Sequence, residues 1–168
     1  MRIRRDKRGF TLIELLIVVA IIGIIVAIAI PNLLNAIQRA KQKRSMADIR
    51  SIGTAAEAYA VDTNRYPAAA GWAYPSGCTY PTTTVGLSAV ANAISPTYIR
   101  TIPLKDGWNS WFLYQTFGTN AQDYVVASNG KDGAKGPDVA TLGPTTDFNC
   151  DIIFADGQFI QFPDGMQK

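Results

Sequence analysis

The sequence predicts an α+β chain: one long N-terminal helix, membrane-spanning in its first half, packed on a small antiparallel β-sheet head. Three observations carry this expectation. The run FTLIELLIVVAIIGIIVAIAI, Phe10 to Ile30, is 21 residues long and Glu14 is its only charge. Apolar residues then continue at helical spacing beyond Pro31, and from residue 64 the composition turns to Pro, Gly, Ser and Thr between short aromatic and β-branched runs. At 168 residues, 48% apolar and 17% charged, the chain is neither disordered nor collagen-like and has length for one core, two at most. Its expected parts are 1–9, a basic leader; 10–30, an apolar helix; 31–63, the continuation of that helix; and 64–168, a globular head.

The leader holds Arg2, Arg4, Arg5, Lys7 and Arg8 against Asp6, a net of +4 where the whole chain has +3, so residues 10–168 sum to −1. A nucleic-acid partner needs a basic face on the folded domain, and none is expected here. The chain has no histidine, which removes the commonest general base and metal ligand and argues against histidine-dependent hydrolases and most zinc enzymes.

As a helix, Phe10 to Ile30 is about 31 Å long, close to the ~30 Å hydrocarbon core of a bilayer. Leu15 to Ile30 contains twelve Leu, Ile or Val, which favour insertion by about 4 to 7 kcal/mol, against about 3 for an acidic group even at the bilayer centre. Insertion wins, with the basic leader on the cytoplasmic side. Beyond Pro31, residues Leu34, Ile37, Ile49, Ile52, Ala56 and Tyr59 recur at helical spacings, with Arg39, Lys41, Lys43 and Arg44 as a basic collar between them. The reading is one helix from about Phe10 to Thr63, kinked near Pro31.

Three accounts of this segment compete. A signal peptide would have the same basic, apolar and small-residue order, with an A-x-A-like site at Ala27-Ile28-Ala29. A plain membrane anchor has no use for Glu14. The third account is a cleavable leader followed by a packing helix, in which another charge neutralises Glu14. An unpaired buried carboxylate is costly, so this account requires a partner for it.

The residues Gly9-Phe10-Thr11-Leu12-Ile13-Glu14 resemble the class III leader site of type IV pilins and type II secretion pseudopilins, and Gly23 and Pro31 stand where that family has them. The resemblance implies cleavage between Gly9 and Phe10 by a prepilin peptidase, N-methylation of Phe10, and an assembly role for Glu14. In a helical homopolymer, Glu14 of one subunit can meet the Phe10 amine of its neighbour and fix axial register, as a polar group does in a coiled coil.

In the head, Pro67 to Thr84 is loop chemistry, Gly86 to Ile94 is weakly helical and closed by Ser95-Pro96, and Trp111–Thr116 and Tyr124–Ser128 read as strands. Asp151 to Phe162 is two apolar runs about Asp156-Gly157, the strongest hairpin signal in the chain. The segments NRYP at 64–67, IPLKDGWNSWFLYQT at 102–116, YVVASNGKDG at 124–133 and Asp151-Ile152 follow the order of features in the major, G-type pseudopilin more than in a twitching pilin.

That resemblance implies calcium as a ligand of the late loop. Ser128 to Asp151 contains Asp132, Asp138, Asp147 and Asp151 with Gly130, Gly133 and Gly136, hard oxygen donors on a turning backbone. Asp132 matches the family's Asp-Gly and Asp151 its late Asp-Ile, whereas Asp138 and Asp147 fall in a stretch longer than the family pattern. No EF-hand pattern is present, and a solvated acidic loop of ordinary turn formers is the plainer reading. Cys78 and Cys150 are the two cysteines. Both belong outside the cytoplasm, where pairing across 71 intervening residues would restrict the unfolded head by about 4 to 5 kcal/mol; two buried thiols are the alternative. SNGKDGAKG lacks the Gly-Lys-Ser/Thr ending of a phosphate loop, and Trp72, Trp108 and Trp111 read as packing before they read as a ligand platform.

The expectation is therefore a structural subunit and not an enzyme: single-pass in the inner membrane with a periplasmic head, drawn from lipid into a pseudopilus that drives type II protein secretion. Its expected partners are copies of itself, the prepilin peptidase, the inner-membrane assembly platform, minor pilins or pseudopilins, and membrane lipid before assembly. The alternatives are a type IV pilus subunit for adhesion, twitching motility or DNA uptake, and an anchored or secreted binding domain. The collar contributes +4, residues 45–168 carry −4 and Glu14 the last −1. That dipole could guide subunit stacking and make filament stability fall with salt.

Overall fold

The computed structural model describes residues 9–68, 85–117, 121–134, 143–165 and 167. They begin with α1 (Leu12–Thr63), a 52-residue helix with Pro31 inside it. The expected helix, Phe10 to Thr63, is met within two residues. Pro31 lacks the N–H that would bond the Ala27 carbonyl, and the helix continues past it. Two compact units divide between Ile37 and Gln38. The last 26 residues of the helix thus belong to the head unit, which starts well before the composition change at residue 64.

In the first unit every described side chain from Phe10 to Ile37 is exposed. A helix apolar on all sides is stable in lipid or among other helices, not in water. In the second unit the helix becomes one-sided: Gln42, Ser45, Ile49, Ile52, Gly53, Ala55 and Ala56 are buried, steps of mostly three and four residues that define one face. Ile49, Ile52 and Ala56 join Phe112, Tyr114, Tyr124, Val126, Ile152 and Phe154 in one core. Gly53 is required here by space, since a Cβ would collide with the Phe154 ring and lie 2.9 Å from the Tyr124 hydroxyl. The helix stops at Asn64, which takes the left-handed conformation (φ 57) and donates its N–H to the Ala60 carbonyl at 2.8 Å.

Six strands follow: β1 (Val85–Gly86), β2 (Leu113–Phe117), β3 (Asp123–Ser128), β4 (Gly143–Thr145), β5 (Ile152–Ala155) and β6 (Gln158–Pro163), with a short helix α2 (Ser88–Ile94) after β1. Their order in the sheet is β1-β2-β3-β5-β6-β4. All pairs are antiparallel except β4 with β6, which run parallel. The sheet is thus mixed, correcting the expected antiparallel one. Nothing in Gly143-Pro144-Thr145 alternates in polarity, so periodicity had nothing to register there.

β5 and β6 form the expected hairpin. Asp156 (φ 47) and Gly157 (φ 85) both have positive φ, the backbone a two-residue turn needs to match strand twist. One face of the sheet presents Tyr114, Tyr124, Val126 and Phe154 to the core, while Gln115, Ala127, Ile153 and Gln161 are buried on the alternate positions.

Candidate functional site

The start of α1 is a reciprocal cap. The Thr11 N–H and hydroxyl both donate to Glu14 Oε2 at 2.8 Å, and the Glu14 N–H donates to Thr11 Oγ1 at 3.3 Å. Thr-x-x-Glu before an apolar run is a capping box, in which two side chains satisfy helix-start N–H groups that have no partner along the helix. This role of Glu14 is readable from the spacing and adds to its expected assembly role. Phe10 and Gly9 stand exposed in front of the cap.

Where the helix enters the second unit, the 105–111 loop is fastened to it. The Trp108 indole N–H donates to Gln38 Oε1 at 2.7 Å and the Gly107 N–H donates to Ser45 Oγ at 2.9 Å. Gly107 comes so close to the Lys41 carbonyl that a side chain there would collide with it. The organising residue is Asp106, buried at 4% exposure. Its Oδ1 accepts the N–H groups of Trp108 and Ser110, each at 2.9 Å, and its Oδ2 accepts the Ser128 hydroxyl at 2.6 Å. A buried carboxylate is tolerated when several donors replace its water. Asp106-Gly107 after Pro103 carried a turn signal in the sequence; the link to Ser128, 22 residues on, had none.

Farther along, Gln42 donates to Gln167 Oε1 at 3.3 Å, and the Gln167 amide donates to the carbonyls of Thr145 (2.6 Å) and Asp164 (2.9 Å). Near the end of α1, the Tyr124 hydroxyl donates to Glu57 Oε1 at 2.8 Å, and the Tyr66 ring packs at 45° to the Tyr124 ring with centroids 4.6 Å apart. Burial raises the Tyr66 phenol above its ordinary pKa, helped by the charges of Asp156, Glu57 and Asp123. Burial also raises Tyr114 and Tyr124, the latter assisted by its bond to Glu57.

The aspartate-rich loop is only partly brought together. The Lys131 N–H donates to the Phe148 carbonyl at 2.9 Å, which sets the turns of Asp132 and Asp147 side by side. Each of these aspartates uses Oδ1 in its own turn, accepting the N–H of Ala134 and of Asn149 at 3.0 Å. Gly130 (φ 64) passes so close that a Cβ would lie 2.6 Å from the Asn149 carbonyl oxygen. Asp151 is buried and Cys150 half-buried. Asp138 and Cys78 lie outside the described residues. Among the described residues no group of three or more His, Cys, Asp or Glu is placed to hold a metal.

Two family models match the chain: a prokaryotic N-terminal methylation motif at residues 4–30, and the type II secretion system protein G family at residues 32–142. The second spans most of the chain. The chain belongs to the type II secretion system protein G family. Among its curated relatives, the type II secretion system core protein G of Klebsiella michiganensis is 30% identical, over 80% of this chain and 91% of the relative. That of Aeromonas hydrophila is 30% identical, over 80% and 90%. The solved major pseudopilin of the enterohaemorrhagic Escherichia coli type 2 secretion system is 24% identical, covering 62% of this chain and 86% of that one, with a TM-score of 0.39. In this G-family chain the methylation motif takes in Gly9, Phe10 and the Thr11–Glu14 cap, and the protein G match takes in the Asp106 loop and β2 and β3.

Proposed function

We propose that this chain is the shaft subunit of a type II secretion pseudopilus, a structural building block and not an enzyme, anchored in the inner membrane with its head in the periplasm. The observation that carries the reading is the pair of adjacent family matches, methylation motif then protein G, on a helix that is long and apolar enough to cross a membrane and has an apolar stretch left unburied. Prepilin peptidase cuts after Gly9 and Phe10 is N-methylated. The new amine can then neutralise Glu14 of a neighbouring subunit, while Thr11 holds that carboxylate at the helix start. Assembly exchanges lipid for neighbouring helices around the same apolar surface; the assembly platform and minor pseudopilins initiate it.

We also propose that the 128–151 loop takes calcium, with Asp132 and Asp147 as carboxylate donors, Asp151 and Asp138 completing the acidic set, and that Cys78 and Cys150 pair. The nearness of the two aspartate turns and the crowding of carbonyl oxygens around Gly130 support the first idea. A ligand that binds only the native head raises its melting temperature. A midpoint unmoved by millimolar calcium or by chelator removes calcium from the account, and full thiol titration of the unfolded, unreduced chain removes the bridge.

The test of the main reading is mass analysis of the mature N-terminus together with a deletion strain. A methylated Phe10 start and a loss of protein secretion, restored by the intact gene, are expected. A start near Ile30 would mean ordinary signal-peptide cleavage, and loss of twitching with secretion intact would make the chain a pilus subunit.

A further inference from the structure

Among the described residues of the head, one large aromatic side chain, Trp111, is left in water. Trp111 is 52% exposed; the Lys105 ammonium lies 5.0 Å over its ring and 3.3 Å from Asn109 Oδ1. The two residues face each other across an isolated β-bridge, and Asp106 fixes the turn between them through Trp108 and Ser110. The pair is therefore presented outward by a rigid loop, at no gain to the core.

The place of this loop gives the exposure a meaning. It is fastened to Gln38 and Ser45, at the start of the head unit. Arg39, Lys43 and Arg44 are exposed on the same stretch of helix, with Lys41 half-buried. Of these, Arg44 has a carboxylate partner, Asp48 at 3.5 Å, and Asp106 is turned inward and fully engaged. Arg39 comes nine residues after Ile30, about 14 Å of helix rise. The headgroup layer is about 5 to 8 Å thick on each side of the hydrocarbon, and an arginine can reach back toward it. Tryptophan beside lysine and arginine is the side-chain set that suits a membrane–water interface, the indole at the acyl boundary and the cations among phosphates.

We propose that, in the membrane-stored subunit, the 105–111 loop and the basic collar form a docking surface for anionic phospholipid headgroups, with Trp111 entering the interface. This rests on the membrane-anchored reading above. It gives the head a resting contact that is surrendered when the subunit is drawn into a filament.

The test uses the full chain reconstituted in vesicles of phosphatidylcholine, with or without phosphatidylglycerol, containing lipids brominated near the headgroup end of the acyl chain. The fluorescence difference between wild type and Trp111→Phe isolates Trp111. The expected result is loss of most of that difference signal in phosphatidylglycerol vesicles, with recovery in Arg39→Glu/Lys43→Glu or at high salt. Bromine-insensitive Trp111, or equal quenching with and without phosphatidylglycerol, would overturn the proposal while an inserted chain left the anchored reading standing. A Trp111 signal that follows protein-to-lipid ratio at fixed lipid composition would overturn it in favour of contact between copies. A chain that fails to float with vesicles overturns both readings.

Discussion

Gly23 and Gly53 stand in one helix, thirty residues apart, and differ in everything around them. A Cβ on Gly23 meets nothing within 4 Å, whereas one on Gly53 strikes the Phe154 ring and the Tyr124 hydroxyl. The same backbone is thus used twice. Before Gln38 it is a mainly apolar rod whose backbone ladder lacks one donor, at Pro31, and whose side chains are exposed. After Gln38 it is one layer of a closed core. Helical structure is not the source of stability in either half; the surroundings are.

Breaking that contrast starts from the most expensive contact in the second unit. Asp106→Ala leaves two N–H groups and the Ser128 hydroxyl without their acceptor, and is expected to destabilise the head by about 3 kcal/mol, read as a lowered denaturant midpoint. Asp106→Asn should recover part of this. Next in size, Gly53→Ala should cost about 1 to 3 kcal/mol by overpacking. Gly23→Ala should leave the head's midpoint unchanged, because only local helix propensity improves there. Equal effects at the two glycines would mean that the halves do not differ as described.

High pH acts on the head, where three tyrosines raised by burial lie. Burial raises the phenols of Tyr66, Tyr114 and Tyr124 in the fold, so above about pH 10 the unfolded chain gives up protons that the folded head keeps. Stability is therefore intact below that pH and falls as pH rises beyond it. Phenolate absorbance from these residues should appear together with loss of the head's near-ultraviolet circular dichroism. Phenolate formation in a head that stays folded would contradict their burial. The smallest effect is expected at the helix start: Thr11→Ala removes half of the capping box, costs about 1 kcal/mol locally, and should speed amide exchange over the first turn without moving the head's midpoint.

How much of this was legible depended on whether the determining contacts are near in sequence. The long helix, the Asp156-Gly157 hairpin and the cores of β2 and β3 follow from periodicity and turn chemistry within a dozen residues. β1 and β4 have two and three residues, too short to show a period, and β4 owes its existence to its parallel partner β6. The helix runs unbroken through Gln38, so its helical spacing marks no boundary there; what changes is what lies beside it. The Thr11–Glu14 cap was present in the spacing and was overshadowed by the assembly role assigned to Glu14. Asp106 with Ser128, and Gln42 with Gln167 across 125 residues, are juxtapositions that only the fold creates.

The central claim, that the apolar half is an assembly surface registered by one carboxylate, is met most directly by Glu14→Ala in the full chain. Thr11→Ala serves as control for the loss of the cap. The account predicts that Glu14→Ala is inserted in the membrane and cleaved after Gly9 as usual, yet yields few or no filaments in sheared fractions or by electron microscopy, while Thr11→Ala assembles. Filaments of normal number and length from Glu14→Ala would contradict it.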